Sequence, residues 1–106
     1  MNELRIKETF LNHFDKELVA KIPPFYLAIL DEQIEKCLKG DHVINGHAPE
    51  NDDEWFIVLA NSFVFGVTAA NGVIEGCRKA YPKDIVNINI NYRGQIFNYN
   101  FSPKPI

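Results

Sequence analysis

Apolar side chains near the N-terminus recur at the spacing of a helix. Ile6, Phe10, Phe14 and Leu18 follow one another every four residues, and the charged residues between them fall largely on the other side. This pattern predicts one amphipathic helix from about residue 3 to residue 21, with an aromatic buried face.

Two adjacent prolines separate this helix from a second one. Pro23 and Pro24 end the first helix, because the residue before a proline avoids the helical region and the ring removes a donor. Pro24 can then begin the next helix, where a missing N–H costs nothing. The second helix is expected to run to about Leu38 and to stop at Gly40, which makes an antiparallel helix pair.

The central stretch 55–74 contains no charged residue and must be buried in a soluble protein. Helical spacing of its apolar positions, with basic residues near its end, predicts a helix over about 62–81. Asn71-Gly72 is a strong hairpin signal, but strand alternation after it leaves no apolar face. Residues 55–60 remain open between a strand and an earlier helical turn.

A membrane span is the other interpretation of this stretch, since about twenty uncharged residues can cross a bilayer as a helix. Asn61, Ser62, Thr68 and Asn71 lie inside the run, and the amphipathic helices offer it soluble cover. We therefore expect a core helix and no membrane association.

The C-terminal segment alternates with a period of two on both sides of a turn at Tyr92-Arg93-Gly94. One face is aliphatic and aromatic, and the other presents five asparagines. The apolar positions are Val86, Ile88, Ile90, Phe97, Tyr99 and Phe101, and the asparagines are Asn87, Asn89, Asn91, Asn98 and Asn100. This pattern predicts an antiparallel β-hairpin.

A chain of 106 residues has room for one core, so the whole of 1–106 is expected to be a single domain. The fold class that these elements predict is α+β: an N-terminal antiparallel helix pair, a buried central helix and a C-terminal antiparallel β-hairpin.

Composition and charge narrow the function classes. A net charge of −3 and scattered basic residues argue against nucleic-acid binding and favour a basic protein partner. The N-terminus lacks the apolar run of a secretory signal, and two cysteines in helical patterns suggest free thiols. We therefore expect a cytoplasmic protein.

Four residues could support zinc or thiol chemistry: Cys37, His42, His47 and Cys77. Their spacing matches no zinc-finger pattern, and both cysteines occupy positions typical of a core. We expect no catalytic residues, no metal and no cofactor, and keep a small zinc- or thiol-dependent enzyme as an alternative.

Two surface features are not required by a folded core: an acidic loop within 41–54 that ends at a tryptophan, and the asparagine face of the hairpin. Both are predicted to bind a partner. The predicted partner-binding residues are Glu50, Asp52, Asp53, Glu54, Trp55, Asn87, Asn89, Asn91, Tyr92, Arg93, Asn98 and Asn100.

In general character, the compact acidic chain with these two surfaces resembles the immunity proteins of bacterial toxin systems, such as contact-dependent inhibition. The resemblance rests on no diagnostic motif. It implies a tight complex with one cognate basic toxin, often a nuclease, whose active site the acidic surface covers. The free chain is expected to be a monomer or weak dimer. A homo-oligomeric structural or adaptor protein that pairs through the hairpin edge is a further alternative.

Overall fold

The computed structural model describes residues 2–103, which form four helices and one two-stranded antiparallel sheet. The elements are α1 (Glu3–Leu11), α2 (Lys16–Ala20), α3 (Pro24–Leu38), α4 (Asp52–Ala80), β1 (Val86–Tyr92) and β2 (Gln95–Phe101). The predicted α+β class is confirmed. The chain forms two compact units, one up to Gly66 and one from Val67 onward.

The first predicted helix is interrupted after three turns. Asn12 ends α1, and the Asp15 carboxylate caps α2 by accepting from the Glu17 N–H at 3.2 Å. An Asp side chain competes for backbone hydrogen bonds in this way, and the cap at Asp15 begins a new helix although the helical spacing of apolar residues continues. Phe14 and Leu18, which the pattern placed on the buried face, are exposed.

The second helix has the ends that the sequence predicts. Pro24 is the first residue of α3, and Gly40 lies beyond its end with a φ of +84°. The Gly40 N–H donates to the Cys37 carbonyl oxygen and the Asp41 N–H to that of Lys36, which closes a Schellman motif.

The central helix is confirmed as a helix and begins ten residues earlier than expected. Residues 55–60, for which the sequence allows either a strand or a helical turn, are helical. Asn71-Gly72 lies within α4 without forming a turn. A helix N-terminus at Asp52 shortens the irregular segment after α3 and moves the acidic residues from a loop into the first helical turn.

The core of the first unit lies between α1, α3 and the first turns of α4. Its fully buried residues include Leu30, Ile34 and Leu59, and Phe10 places its ring 5.6 Å from that of Phe56. Each such aliphatic side chain stabilises the fold by roughly 1.5–3 kcal/mol relative to an exposed one. Lys7 and Asp31 form an ion pair between α1 and α3 at 3.0 Å.

Burial of α4 is less complete than predicted. Ile74 is buried, but Val64, Phe65 and Val73 are exposed, Phe65 by 78%. Apolar residues lie on all sides of this helix, so one packed face cannot cover them. By length and composition α4 could cross a membrane: an 18-residue window within it has a mean hydropathy of 1.7, and 17% of that window is buried.

The second unit contains the predicted antiparallel hairpin, formed by β1 and β2. Ile88 lies opposite Tyr99 and Ile90 opposite Phe97 on the half-buried face. Arg93 and Gly94 have φ angles of +53° and +79°, as a two-residue type I′ turn requires. The turn is therefore shorter than the predicted three residues.

Gly66 permits close packing of α4 in the first unit, because a Cβ there would lie 2.9 Å from Ile29 Cγ2. We expect Gly66→Ala to lower the free energy of unfolding by about 1–2 kcal/mol, since overpacking outweighs the gain of up to about 1 kcal/mol in helix propensity. Gly72 has no atom within 4 Å of its Cβ position. Gly72→Ala, the matched control, should raise stability in urea unfolding followed by far-UV circular dichroism. Equal stabilisation by both substitutions would contradict the close contact.

Candidate functional site

The N-terminal end of α4 concentrates negative charge. Glu50, Asp52 and Asp53 are exposed, and Glu54 is half-buried. The latter three occupy the first turn of the helix, where the positive end of the helix dipole stabilises carboxylates. The sequence predicted these residues as a surface group, and the structure places them together at this end.

A reciprocal hydrogen-bond arrangement fixes the start of α4. The Glu54 N–H donates to Asn51 Oδ1 at 2.9 Å, while the Glu50 N–H donates to Glu54 Oε1 at 2.9 Å. This is a variant of the capping box, in which two backbone donors are satisfied at once. Glu54 therefore has a structural role that its assignment to a loop did not reveal, and Asn51 was not identified from the sequence.

Trp55 does not lie on the surface beside these carboxylates. It is 7% exposed and belongs to the core cluster with Val58 and Leu59. The helix turns each successive residue by about 100°, so Asp52 and Asp53 face outward while Trp55 faces inward. Its predicted role as an exposed contact anchor is corrected accordingly.

A miniature turn positions His47 next to the acidic residues. Ile44 and His47 exchange backbone hydrogen bonds at 2.8 and 3.0 Å, and Asn45 and Gly46 between them have φ angles of +51° and +83°. Asn-Gly is the preferred pair for such a type I′ turn. Within the segment predicted as a loop, the one pairing among the described residues is thus the bridge between Ile44 and His47.

His47 faces two carboxylates. Its Nδ1 lies 3.8 Å from Glu50 Oε1, and its Nε2 lies 3.7 Å from Glu54 Oε2. Nδ1 also donates to the Ala48 carbonyl oxygen at 2.8 Å. The hydrogen bond to the Ala48 carbonyl oxygen is the largest cause of the raised pKa of His47. Desolvation, the next largest, lowers this pKa, and the negative charges of Glu54 and Glu50 make smaller contributions that raise it.

His47, Glu50 and Glu54 form the one group of three metal-ligating side chains found among residues 2–103, with ligand atoms all within 4.8 Å of one another. The sequence predicts a different group, in which His47 accompanies His42 and the two cysteines. The signal for the correct grouping was available, because glutamates follow His47 three and seven residues later.

The remaining candidates for zinc or thiol chemistry have other surroundings. Cys37 lies in the core, and burial raises the pKa of its thiol to about 11, which disfavours the nucleophilic thiolate. His42 donates from Nε2 to Oε1 of the buried Gln33 at 2.8 Å. Cys77, in the second unit, is a free, half-buried thiol.

The asparagine face of the hairpin is exposed as predicted. Asn87 lies opposite Asn100, and Asn89 opposite Asn98, so the face carries two cross-strand asparagine pairs. Asn91 lies opposite the exposed Ile96 rather than a polar residue. Of the predicted residues at the turn, Arg93 is exposed, and Tyr92 is half-buried as the last residue of β1.

The second unit also contains a cleft of about 120 Å³ beside the end of α4, lined in part by Arg78, Lys79 and Asp84. The Arg78 guanidinium lies 5.1 Å from the centre of the Phe101 ring, in a cation–π contact, and 3.8 Å from Glu75. The opposite charges around this cleft give it no clear preference for an anion or a cation.

Comparison of the chain with protein-family models, curated proteins and solved structures gave no match.

The raised pKa of His47 predicts a pH-dependent stability. Protonated His47 is stabilised in the folded chain first by its hydrogen bond to the Ala48 carbonyl oxygen and to a smaller extent by the charges of Glu54 and Glu50. This contribution is complete below the unfolded pKa of about 6.5 and is lost as the pH rises through the higher folded value. The melting temperature of the wild type should therefore exceed that of His47→Asn by a larger margin at pH 6 than at pH 8.5. Both are measured in buffer that contains a metal chelator.

The control is Glu54→Gln, which removes one negative partner but keeps an oxygen to accept from the Glu50 N–H. The difference in melting temperature between Glu54→Gln and wild type should likewise be larger at pH 6 than at pH 8.5. A stability difference between wild type and His47→Asn that is constant across this pH range would contradict stabilisation of protonated His47 in the folded chain.

Proposed function

We propose that the chain is a non-enzymatic binding protein of the bacterial cytoplasm, an immunity protein that neutralises a cognate basic toxin by covering its active site. The observation that carries the proposal is unpaired negative charge at the start of α4. Asp52 and Asp53 are exposed and form no ion pair with any described residue, whereas Asp31, Glu32 and Glu35 pair with lysines at 3.0, 3.1 and 2.8 Å.

Helix stability alone does not require this much charge. A carboxylate in the first turn stabilises a helix by about 0.3–1 kcal/mol, and Glu54 already acts there as a capping residue. Adjacent like charges repel one another, and a basic partner would relieve that repulsion. Such charge complementarity speeds association with a basic partner and disfavours binding of acidic proteins.

The asparagine face supplies a second, different contact surface. Each asparagine amide offers two donors and an acceptor, so the face can bind protein backbone or polar side chains without carrying charge. Asn89 and Asn98, opposite one another, lie near the middle of this face, and Arg93 at the turn adds one positive group. A toxin active site that binds a polar substrate would match these groups.

A homo-oligomeric adaptor is the second candidate, favoured by a specific observation. Both strands of the two-stranded sheet are edge strands, and Ile85 and Ile96 are exposed by 72% and 68%. Unprotected edges with apolar side chains favour pairing with another chain. Sedimentation of the purified protein separates the candidates, since an adaptor of this kind self-associates without a toxin.

Charge reversal tests the proposal. The partner is first captured with tagged wild-type protein and purified, and its association with each variant is then followed by stopped flow. Asp52→Lys with Asp53→Lys should slow association about tenfold or more and flatten its dependence on salt.

The matched control carries the same change in net charge at two other exposed acids, Glu8→Lys with Asp41→Lys. It should slow association far less. Equal rates for the two double variants would remove the start of α4 from the interface. A captured partner that retains its enzymatic activity in the complex would overturn the immunity function.

A further inference from the structure

The group formed by His47, Glu50 and Glu54 combines an imidazole with two carboxylates. The core does not require it, since two of the three side chains are on the surface and the third is only half-buried. Nitrogen and oxygen donors of these kinds are the ligands that zinc uses in sites with three protein ligands and one water. A metal ion can bind here only if lone pairs on these side chains are not already used in hydrogen bonds.

His47 offers a free lone pair on one defined nitrogen. A carbonyl oxygen can only accept, so the 2.8 Å contact between Nδ1 and the Ala48 oxygen requires the proton on Nδ1. In the neutral ring, Nε2 is then the unprotonated nitrogen. Metal-binding histidines are typically oriented in this way, with the other ring nitrogen donating to a backbone carbonyl.

Glu54 also offers a defined atom. Its Oε1 accepts from the Glu50 N–H, which leaves Oε2 free at 3.7 Å from His47 Nε2. Two ligands of one tetrahedral zinc ion lie roughly 3.3 Å apart, given metal–ligand distances of about 2.0–2.2 Å. A movement of a few tenths of an ångström would bring this pair to that separation.

Glu50 supplies the third ligand, and its side chain is flexible. Its side chain is 74% exposed, so it can rotate without disturbing the core. Its Oε1 lies 3.8 Å from His47 Nδ1, and a rotation of this side chain is needed to bring a carboxylate oxygen to the Nε2 side of the ring. We propose that His47 Nε2, Glu54 Oε2 and a carboxylate oxygen of Glu50 bind one Zn²⁺ ion at the start of α4, with water in the fourth position.

The chemical types of the three ligand atoms also determine which metal ion the site prefers. Calcium and magnesium favour six or more oxygen ligands, whereas an imidazole nitrogen with two carboxylates suits zinc and related transition ions. Zinc would bind His47 through the unprotonated Nε2. It would also cancel two negative charges next to Asp52 and Asp53, so the ion would weaken attraction to a basic partner.

Titration calorimetry with zinc chloride at pH 7.5, on the full chain, tests the site. We expect one Zn²⁺ per chain and a change in the fluorescence of Trp55, the single tryptophan, which follows Glu54 directly. His47→Asn and Glu54→Gln should each weaken binding about tenfold or more, since each removes a ligand. Calcium chloride should bind at least tenfold more weakly than zinc.

Two controls separate this site from general attraction of cations to acidic residues. Asp52→Asn with Asp53→Asn removes neighbouring charge but no proposed ligand and should change zinc affinity less than threefold. Cys77→Ser, which removes the more accessible thiol, should leave zinc affinity unchanged.

The proposal is overturned if wild type binds no zinc, if the Asp52 and Asp53 variant loses as much affinity as Glu54→Gln, or if Cys77→Ser abolishes binding. Circular dichroism of each variant confirms that it is folded. None of these measurements involves a toxin, so failure of the zinc site and failure of the immunity function are distinguished.

Discussion

The capping arrangement at the start of α4 is the constraint on which the first unit depends. Asn51 and Glu54 determine which residue begins the helix, and the start fixes the direction of every side chain that follows. With the helix begun at Asp52, Trp55 and Leu59 enter the core and the adjacent aspartates face solvent. The same few atoms therefore separate the apolar interior from the most acidic surface.

This end of α4 combines features that elsewhere in the chain occur separately. A two-residue turn directs His47 toward the helix, the capping glutamate presents one free oxygen, and the exposed aspartates form no ion pair with a described residue. Ion pairs along α3 follow the ordinary spacing of a helix surface, with glutamate four residues before lysine. Function depends on particular groups rather than on fold class, and such groups are concentrated at this end of α4.

Strong local signals in the sequence predicted the elements that depend on local chemistry. Pro24 and Gly40 mark the ends of α3, and the alternation of asparagine with apolar residues predicts both strands and their pairing. Competition between signals explains the failures. Asn71-Gly72 suggests a turn, yet it lies within α4, while Asn45-Gly46 forms the type I′ turn that was not predicted.

The candidate site was predicted only in part for a similar reason. The acidic residues were identified from composition, but their separation from Trp55 depends on the helix starting at Asp52, and that start depends on hydrogen bonds from side chains to the backbone. The break after α1 has a similar origin, because the Asp15 carboxylate caps a new helix within a pattern that remains visible in the apolar residues. Periodicity detects which residues are apolar, and local polar bonds decide where a helix begins and ends.

The two asparagine pairs of the hairpin have a consequence for how the protein behaves in concentrated solution. Asparagine side chains stack into continuous hydrogen-bonded ladders when strands add to one another in register, as they do in cross-β fibrils. Residues 86–101 contain a single charged group, Arg93, and both strands have an open edge. Colloidal stability of the chain therefore depends on keeping this segment folded back as a hairpin, since its own sequence provides little charge to oppose fibril growth.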